Sequence, residues 1–247
     1  MVFHEEVAEG VHRVEDAFTN WYLIEDTDGL SIVDAGVPTS WKSLFSVLTK
    51  IGRSADDLRA LVLTHAHFDH IGFAERARSE LGVPVWVHEN DATLARHPRQ
   101  YLHESPRLPY FLTQVKAIPI VVALVRARAF WPRSLREVST FCDGELALPG
   151  RPRVVPTPGH TLGHCALTLP ERGVVLAGDA FVMLDPYTAK TGPRIVAGAA
   201  TADSARNLAS LDALLATDAA IVLTGHGAPW RDGAEAAVAR ARSIGPS

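Results

Sequence analysis

Four side chains that can bind a metal ion stand within six residues of one another: His65, His67, Asp69 and His70. Imidazole nitrogens and carboxylate oxygens are ligands that a borderline ion such as Zn²⁺ favours, whereas an all-sulfur site would need cysteines that are missing here. An isolated HxH pair would be weak evidence, because single histidines are often exposed or hydrogen-bonded. The pattern HxHxDH is much denser, and it predicts a metal centre.

Four donors are too few for two complete metal sites, so a dinuclear centre needs further donors later in the chain. Three candidates follow apolar runs: His160 in PGHT, Asp179 in AGD and His226 in TGHG. A glycine stands beside each of them and permits the tight backbone that brings a ligand to a crowded centre. The sequence therefore supplies seven donors.

Strands and helices alternate around these motifs. Short apolar runs separated by turn residues predict an antiparallel meander near residues 11–33. In both halves strands come first and helices later, which favours an α/β fold with two sheets packed face to face and helices outside, in one domain over residues 1–247. Further strands are expected near 60–63, 83–87, 153–155, 166–169, 174–177 and 221–223, and helices near 39–51, 71–81, 91–96, 202–215 and 233–244.

Residues 98–138 depart from this alternation. They are rich in large apolar side chains punctuated by prolines and arginines, which is typical of an inserted helical cap. Such a cap covers a substrate pocket or forms a homodimer contact, and the sequence leaves both open. Its large apolar residues are Tyr101, Leu108, Tyr110, Phe111, Ile118, Val121, Leu124, Phe130 and Trp131.

Composition narrows the classes of partner and location. A formal net charge of −4 with thinly spread lysines and arginines argues against a nucleic-acid partner. The two cysteines, Cys142 and Cys165, are too few for a disulfide framework and are expected to be reduced and buried. An acidic N-terminus predicts no secretory signal and hence a cytoplasmic location. The most apolar run is far shorter than the ~20 residues of a membrane span, so no membrane partner is expected.

The HxHxDH motif with the three later donors resembles the metallo-β-lactamase superfamily over nearly the whole chain. The resemblance implies a four-layer αββα sandwich of two mixed β-sheets, with a dinuclear site at the sheet edge and a helical insertion at about 98–138. It also implies two divalent metal ions, with zinc expected. By this likeness the first ion is held by His65, His67 and His160, the second by Asp69, His70 and His226, and Asp179 bridges both.

Other histidines and one aspartate receive supporting roles. The run Val33-Asp34-Ala35-Gly36 resembles a strand-end motif of the family, in which Asp34 supports the site without binding metal. His164 is expected to pack behind the site, and His88 to make a structural hydrogen bond. Solvent exposure is the simplest expectation for His4, His12, His97 and His103.

The expected reaction is hydrolysis of an ester, lactone or thioester. Two divalent ions lower the pKa of a shared water from 15.7 to about 7, so metal-bound hydroxide is the predicted nucleophile that attacks the carbonyl. Asp69 would orient it and pass a proton to the leaving group. No GxSxG motif offers a serine alternative. The apolar insertion favours a small-molecule substrate with an acyl or aromatic portion.

Members of the superfamily differ in the reaction that they catalyse, and single residues of this sequence favour some of these reactions over others. Asp179 argues against β-lactam cleavage, because β-lactam-cleaving members generally lack that aspartate. Lactonases of the family resemble this chain in ligand spacing, yet the tyrosine that several carry three residues later is Val182 here. Tyr187 could reach inward instead, although a role in a turn is favoured. A glyoxalase-II-like thioesterase and a persulfide dioxygenase, with one iron on His65, His160 and Asp179, remain alternatives.

Overall fold

The computed structural model describes residues 1–246, and at Phe111 it describes the backbone without the side chain. Over these residues the chain forms a seven-stranded sheet, a five-stranded sheet and a two-stranded ribbon. The side chain of Phe111, one of the large apolar residues noted in the insertion, therefore lies outside the described part of the structure.

The first sheet is mixed. Its first four strands form an antiparallel meander, of which the second to the fourth were predicted, and the last four pair in parallel. The first strand was not predicted, because its mostly exposed and charged side chains follow no alternating pattern. In sheet order the strands are β1 (Val2–Ala8), β2 (Val11–Asp16), β3 (Thr19–Asp26), β4 (Gly29–Val33), β5 (Leu58–Val62), β6 (Val85–His88) and β7 (Ser139–Phe141).

The second sheet is also mixed, because β11 pairs antiparallel with β10 and parallel with β14. Its members are β8 (Gly144–Glu145), β9 (Arg153–Pro156), β10 (Cys165–Leu169), β11 (Val174–Gly178) and β14 (Ile221–Thr224). The ribbon consists of β12 (Val182–Leu184) and β13 (Thr191–Arg194).

Eight α-helices are described: α1 (Ser40–Lys50), α2 (Ala74–Leu81), α3 (Ala92–Arg96), α4 (Arg107–Thr113), α5 (Ile118–Arg126), α6 (Ser204–Ser210), α7 (Asp212–Leu215) and α8 (Gly233–Ile244). The helix predicted at 71–81 begins later, because the Gly72 N–H donates to the carbonyl of Gly36 rather than within a helix. The helix predicted at 202–215 is two helices that meet at Leu211.

Strand alternation divides the interior into layers. Tyr22, Ile24 and Val33 face the second sheet, and Leu176 faces back toward them, so one apolar layer lies between the sheets. The alternate residues face outward: those of the first sheet pack against α1 and α2, and those of the second pack against α6, α7 and α8. The result is a four-layer αββα sandwich, as predicted.

Two expectations about individual residues are wrong. His12 is buried, because β2 is covered on both faces; its Nδ1 accepts from the Glu6 N–H and its Nε2 lies 3.0 Å from Oε2 of Glu25. Cys142 is exposed, since it stands in the short turn after β7, whereas Cys165 is buried in β10 as expected. His4, His97 and His103 are exposed as predicted.

The inserted segment, residues 98–138, is helical as expected. It contains α4 and α5, and the buried side chains of Ile120 and Leu124 anchor α5 on the sandwich. Among the residues that the structure describes, no helix has the length and apolar character needed to cross a membrane.

Candidate metal centre

The predicted donors lie in four loops at one edge of the sandwich. The HxHxDH run follows β5, Asp179 follows β11, and His226 follows β14. His160 lies in the loop between β9 and β10. Because β5, β11 and β14 end at this edge, side chains that are far apart in sequence meet there. Each of the seven predicted donors is buried.

The donors form two triads joined by one carboxylate. Within each triad the ligand atoms lie within 4.8 Å of one another. Asp179 lies between the triads: its Oδ2 is 3.5 Å from Nε2 of His160 and 3.4 Å from Nε2 of His226. Its Oδ1 is 3.7 Å from Nε2 of His70. The triads are His65, His67 and His160, and Asp69, His70 and His226.

The donor atoms fit a metal ion because they are buried without other partners. Nε2 of His65, His67 and His160 and Oδ1 of Asp179 make no hydrogen bond to any described residue. Buried polar atoms without a partner cost free energy, and native proteins seldom leave several of them together. A divalent cation between the three ring nitrogens would satisfy them together, and Oδ1 of Asp179 lies on the side of His70, in the second triad. The first triad and Asp179 therefore have the chemistry of a metal site.

Hydrogen bonds behind the site fix the orientation of the rings. Nδ1 of His226 donates to the carbonyl of Phe18 at 2.8 Å, and Nδ1 of His160 lies 3.3 Å from the Thr201 hydroxyl. These bonds hold the proton on Nδ1 and leave Nε2 to face the centre, which is the usual arrangement of metal-binding histidines.

Asp34 supports the site as predicted. Its Oδ2 lies 3.1 Å from Nδ1 of His70 and accepts a hydrogen bond from the Thr64 hydroxyl. The same hydroxyl lies 3.1 Å from Nδ1 of His65. One buried carboxylate thus orients a ring of each triad.

Burial keeps the three imidazoles of the first triad in the neutral form that can bind a cation. Burial lowers the pKa of His65 and His67 well below the usual value, and it lowers the pKa of His160 to about 4. Burial opposes the charge of His70 as well, but the carboxylates around it, Asp179 first, raise its pKa to about 10. The first triad is therefore neutral at pH 7, and neutral imidazole is the form that binds metal.

His164 packs behind the centre, as expected. Its Nε2 accepts a hydrogen bond from the Asp179 N–H at 2.9 Å, and its Nδ1 lies 2.8 Å from the Thr157 hydroxyl. Both ring nitrogens are therefore used. The predicted structural role of His88 is also present, since its Nδ1 accepts from the Asn90 N–H.

Two glycines are required by the crowding at the centre. Gly178 has a φ of +51°, and a Cβ there would lie 2.6 Å from the Thr64 hydroxyl oxygen. A Cβ on Gly225 would lie 2.0 Å from Oδ1 of Asp179. Both distances are shorter than non-bonded atoms can approach. The glycines beside Asp179 and His226 therefore permit the tight backbone that brings these ligands to the crowded centre, as predicted.

Asp91 holds two ligand loops together and was not predicted. Its Oδ2 accepts from the Ala66 N–H, between His65 and His67, and from the Thr161 hydroxyl beside His160. Its Oδ1 accepts from the Gly163 N–H at 2.8 Å. The only signal in the sequence is a carboxylate just after a strand. Nothing local indicates partners 25 and 72 residues away.

We expect Asp91→Ala to weaken metal binding by roughly 10–100-fold, the effect of losing a group that orients metal ligands. A chromophoric chelator competing for zinc measures the change in Kd. Asp185→Ala is the matched control, because Asp185 is also a buried carboxylate and accepts from the Thr188 hydroxyl in a loop without donors. Equal weakening in the two variants would contradict the assigned role.

A cavity of about 210 Å³ adjoins the centre beneath the inserted segment. Asp69 is its only charged lining residue among those described. Tyr187 also lines it, and its hydroxyl lies 3.1 Å from that of Tyr101, so this tyrosine points inward, contrary to the favoured expectation of a turn role alone. Apolar side chains form most of the wall: Phe68, Ala117, Ile118, Val121, Val122, Leu124, Phe130 and Pro186.

A four-layer αββα sandwich with a histidine and aspartate centre at one edge defines a metalloprotein of the metallo-β-lactamase fold. The family model of the metallo-beta-lactamase superfamily matches residues 14–226, and the chain belongs to that superfamily. It is a hydrolase-like member of this metal-dependent superfamily, with a histidine-rich potential metal site.

Individual relatives agree with this assignment. The chain is 27% identical over 238 residues to the probable metallo-hydrolase YflN of Bacillus subtilis (strain 168), covering 91% of this chain and 86% of that protein. The metallo-beta-lactamase family protein TTHA1429 from Thermus thermophilus is 26% identical, with a TM-score of 0.66, covering 95% of this chain and 80% of that one. TTHA1623, solved in a di-iron-bound form, is 26% identical with a TM-score of 0.64, covering 91% and 95%.

Proposed function

We propose that this protein is a dinuclear, zinc-dependent hydrolase of a small ester, lactone or thioester with an apolar acyl portion. One observation carries the proposal: Asp69 belongs to the second donor triad and also lines the apolar cavity. A carbonyl carbon attached to an apolar group in that cavity would therefore lie beside the metal centre.

The donors have separate roles in this proposal. His65, His67 and His160 would hold one ion, while Asp69, His70 and His226 would hold the other, with Asp179 shared. When bound, two such ions would polarise the substrate carbonyl and make a water acidic near neutral pH.

Asp69 acts as general base and then as general acid in this reaction. Its Oδ2 lies 3.5 Å from Nε2 of His226 and faces the centre, so Oδ1 is left to accept the proton that water loses on attack. A bond forms between the water oxygen and the acyl carbon, and the bond from that carbon to the leaving oxygen or sulfur breaks. Asp69 then returns its proton to the leaving atom.

The second donor triad favours this function over the one-iron alternative. A persulfide dioxygenase would use His65, His160 and Asp179 alone. Here Asp69, His70 and His226 also converge within 4.8 Å, an arrangement that a single ion would not need.

Substrate chain length tests the proposal. We expect kcat/KM for zinc-loaded protein to rise about fourfold per added methylene in a series of p-nitrophenyl esters, because burial of one methylene is worth about 0.8 kcal/mol. The rise should end when the cavity is full. A flat profile across the series would contradict an acyl-binding cavity.

A cavity-filling variant tests whether the preference for long acyl chains arises in this cavity. Val121→Trp should abolish the preference for long chains and leave acetyl ester hydrolysis within about twofold, because Val121 lines the cavity. Val125→Trp is the control on the same helix, since Val125 is 46% exposed and is not a lining residue. Loss of the chain-length preference in both variants would contradict the assignment.

A further inference from the structure

The inserted segment presents an apolar surface to solvent, which we call the cap face. The inserted segment contains more than half of the exposed large apolar side chains among the described residues, although it makes up only one-sixth of the chain. Monomeric soluble proteins rarely expose so large a group, and such surfaces mark interaction sites. The cap face consists of the exposed apolar residues of α4, α5 and the turn between them: Leu108, Leu112, Val115, Ile118, Val122 and Val125.

The same segment is basic, whereas the rest of the protein is acidic. Residues 98–138 contain seven basic and two acidic side chains, a formal charge of +5, in a chain whose net charge is −4. Three of the basic residues, Lys116, Arg126 and Arg128, are exposed and form no ion pair with another described residue. The seven are Arg99, Arg107, Lys116, Arg126, Arg128, Arg133 and Arg136, and the acidic pair is Glu104 and Glu137.

Apolar and basic residues alternate along one connected stretch. Val125 ends the apolar side of α5, and the Arg128 N–H donates to its carbonyl at 3.0 Å. The Trp131 N–H donates in turn to the carbonyl of Arg128. Trp131 is 58% exposed, and tryptophan beside arginine is typical of the boundary between membrane and water.

The cavity opens on the cap face. Ile118 and Val122 both line the cavity, yet they are 53% and 39% exposed. Side chains that belong to a cavity wall and to the surface mark the mouth between them. An apolar molecule held at the cap face would therefore have a short path to Asp69.

Charge decides which occupant fits this surface. A second copy would join through the same patch on both subunits, because most homodimers are twofold symmetric. That interface would bring the exposed Lys116 and Arg126 of both copies together, and like charges oppose such contact. The surface of an anionic bilayer offers the complementary charge together with an apolar interior, which suits helices with apolar and basic sides.

We propose that the cap face docks onto anionic lipid membranes, with α4 and α5 lying in the plane of the interface and the cavity mouth turned toward the lipid. The proposal goes beyond hydrolysis, since it concerns where the protein binds. The absence of a membrane partner was expected because no segment could span a bilayer. Peripheral docking requires no spanning segment.

Vesicle sedimentation tests the proposal directly. We expect the purified protein to sediment with vesicles of phosphatidylglycerol and phosphatidylcholine, and to bind at least about tenfold less to phosphatidylcholine alone. Raising the salt concentration should weaken binding, because screening shortens the range of charge attraction. Equal binding to both vesicles, or to neither, would overturn the proposal.

Two double variants separate the basic and apolar contributions. Lys116→Glu with Arg126→Glu, and Val115→Asp with Val125→Asp, should each lower vesicle binding at least about tenfold. These side chains are exposed and do not line the cavity, so the thermal unfolding midpoint should stay unchanged. The controls are Arg240→Glu and Leu215→Asp, at exposed positions outside the segment, and they should bind as the unmodified protein does.

Other occupants give different results. If only the charge variant loses binding, the surface attracts polyanions without inserting into lipid, and the proposal fails. Sedimentation equilibrium decides the remaining case. A dimer that dissociates in the Val115→Asp and Val125→Asp variant would assign the cap face to a second copy and overturn the membrane proposal.

Discussion

Asp69→Ala is expected to lower kcat/KM by about 10²- to 10⁴-fold, the usual effect of removing a general acid and base. Asp69 is 6% exposed and lies beside both the second triad and the cavity. No other carboxylate among the described residues lines the cavity, so none could replace it in the reaction. Steady-state kinetics with a p-nitrophenyl ester measures the loss. The fold should persist, because Asp69 stands in a loop at the edge of the sheets.

The control for this variant must separate lost chemistry from lost metal. Metal content is measured on the same samples, and kinetics are repeated with excess zinc. Glu75→Ala removes another buried carboxylate, which pairs with Arg78 on helix α2, and should keep most activity. An Asp69→Ala protein that retains most of its activity with both metals bound would contradict the proposed mechanism.

Removal of metal should abolish turnover and lower the thermal unfolding midpoint by roughly 10 °C. Metal that binds only the folded chain stabilises it by about 4 kcal/mol at a thousandfold excess over Kd, and each kcal/mol shifts the midpoint of a chain of this size by roughly 2–4 °C. The orphaned Nε2 atoms of His65, His67 and His160 are the physical reason, because chelation leaves them buried without partners.

Calorimetry before and after chelation measures this shift, and titration with zinc should reverse it. A double variant, His65→Ala with His226→Ala, serves as the control, because it loses one donor from each triad. Its midpoint should not respond to the chelator. An unchanged midpoint and full activity in chelated, unmodified protein would show that metal has no part in the function.

The fold and the donor cluster were largely predictable from the sequence because both follow local rules. Short apolar runs predicted β3 and β4, and each donor follows an apolar run, whereas the shared sheet edge was expected from the resemblance to the superfamily. The glycines at 178 and 225 were expected because each stands beside a donor. Local patterns therefore carried most of the architecture.

Features that depend on contacts between distant residues were not predictable. Asp91 joins two ligand loops through a partner 72 residues away. Tyr187 was expected to serve a turn, and its N–H does donate to Asp185, yet its hydroxyl meets Tyr101, 86 residues earlier. His12 was expected at the surface, but burial in β2 depends on the neighbouring strands. Such contacts exist only once the sandwich is assembled.

Metal content per chain tests the central claim most directly. Elemental mass spectrometry on protein purified without chelator should give close to two equivalents of divalent metal per chain, with zinc predominant. That result would agree with two donor triads that share Asp179. About one equivalent of iron, or no bound metal, would contradict the dinuclear hydrolase.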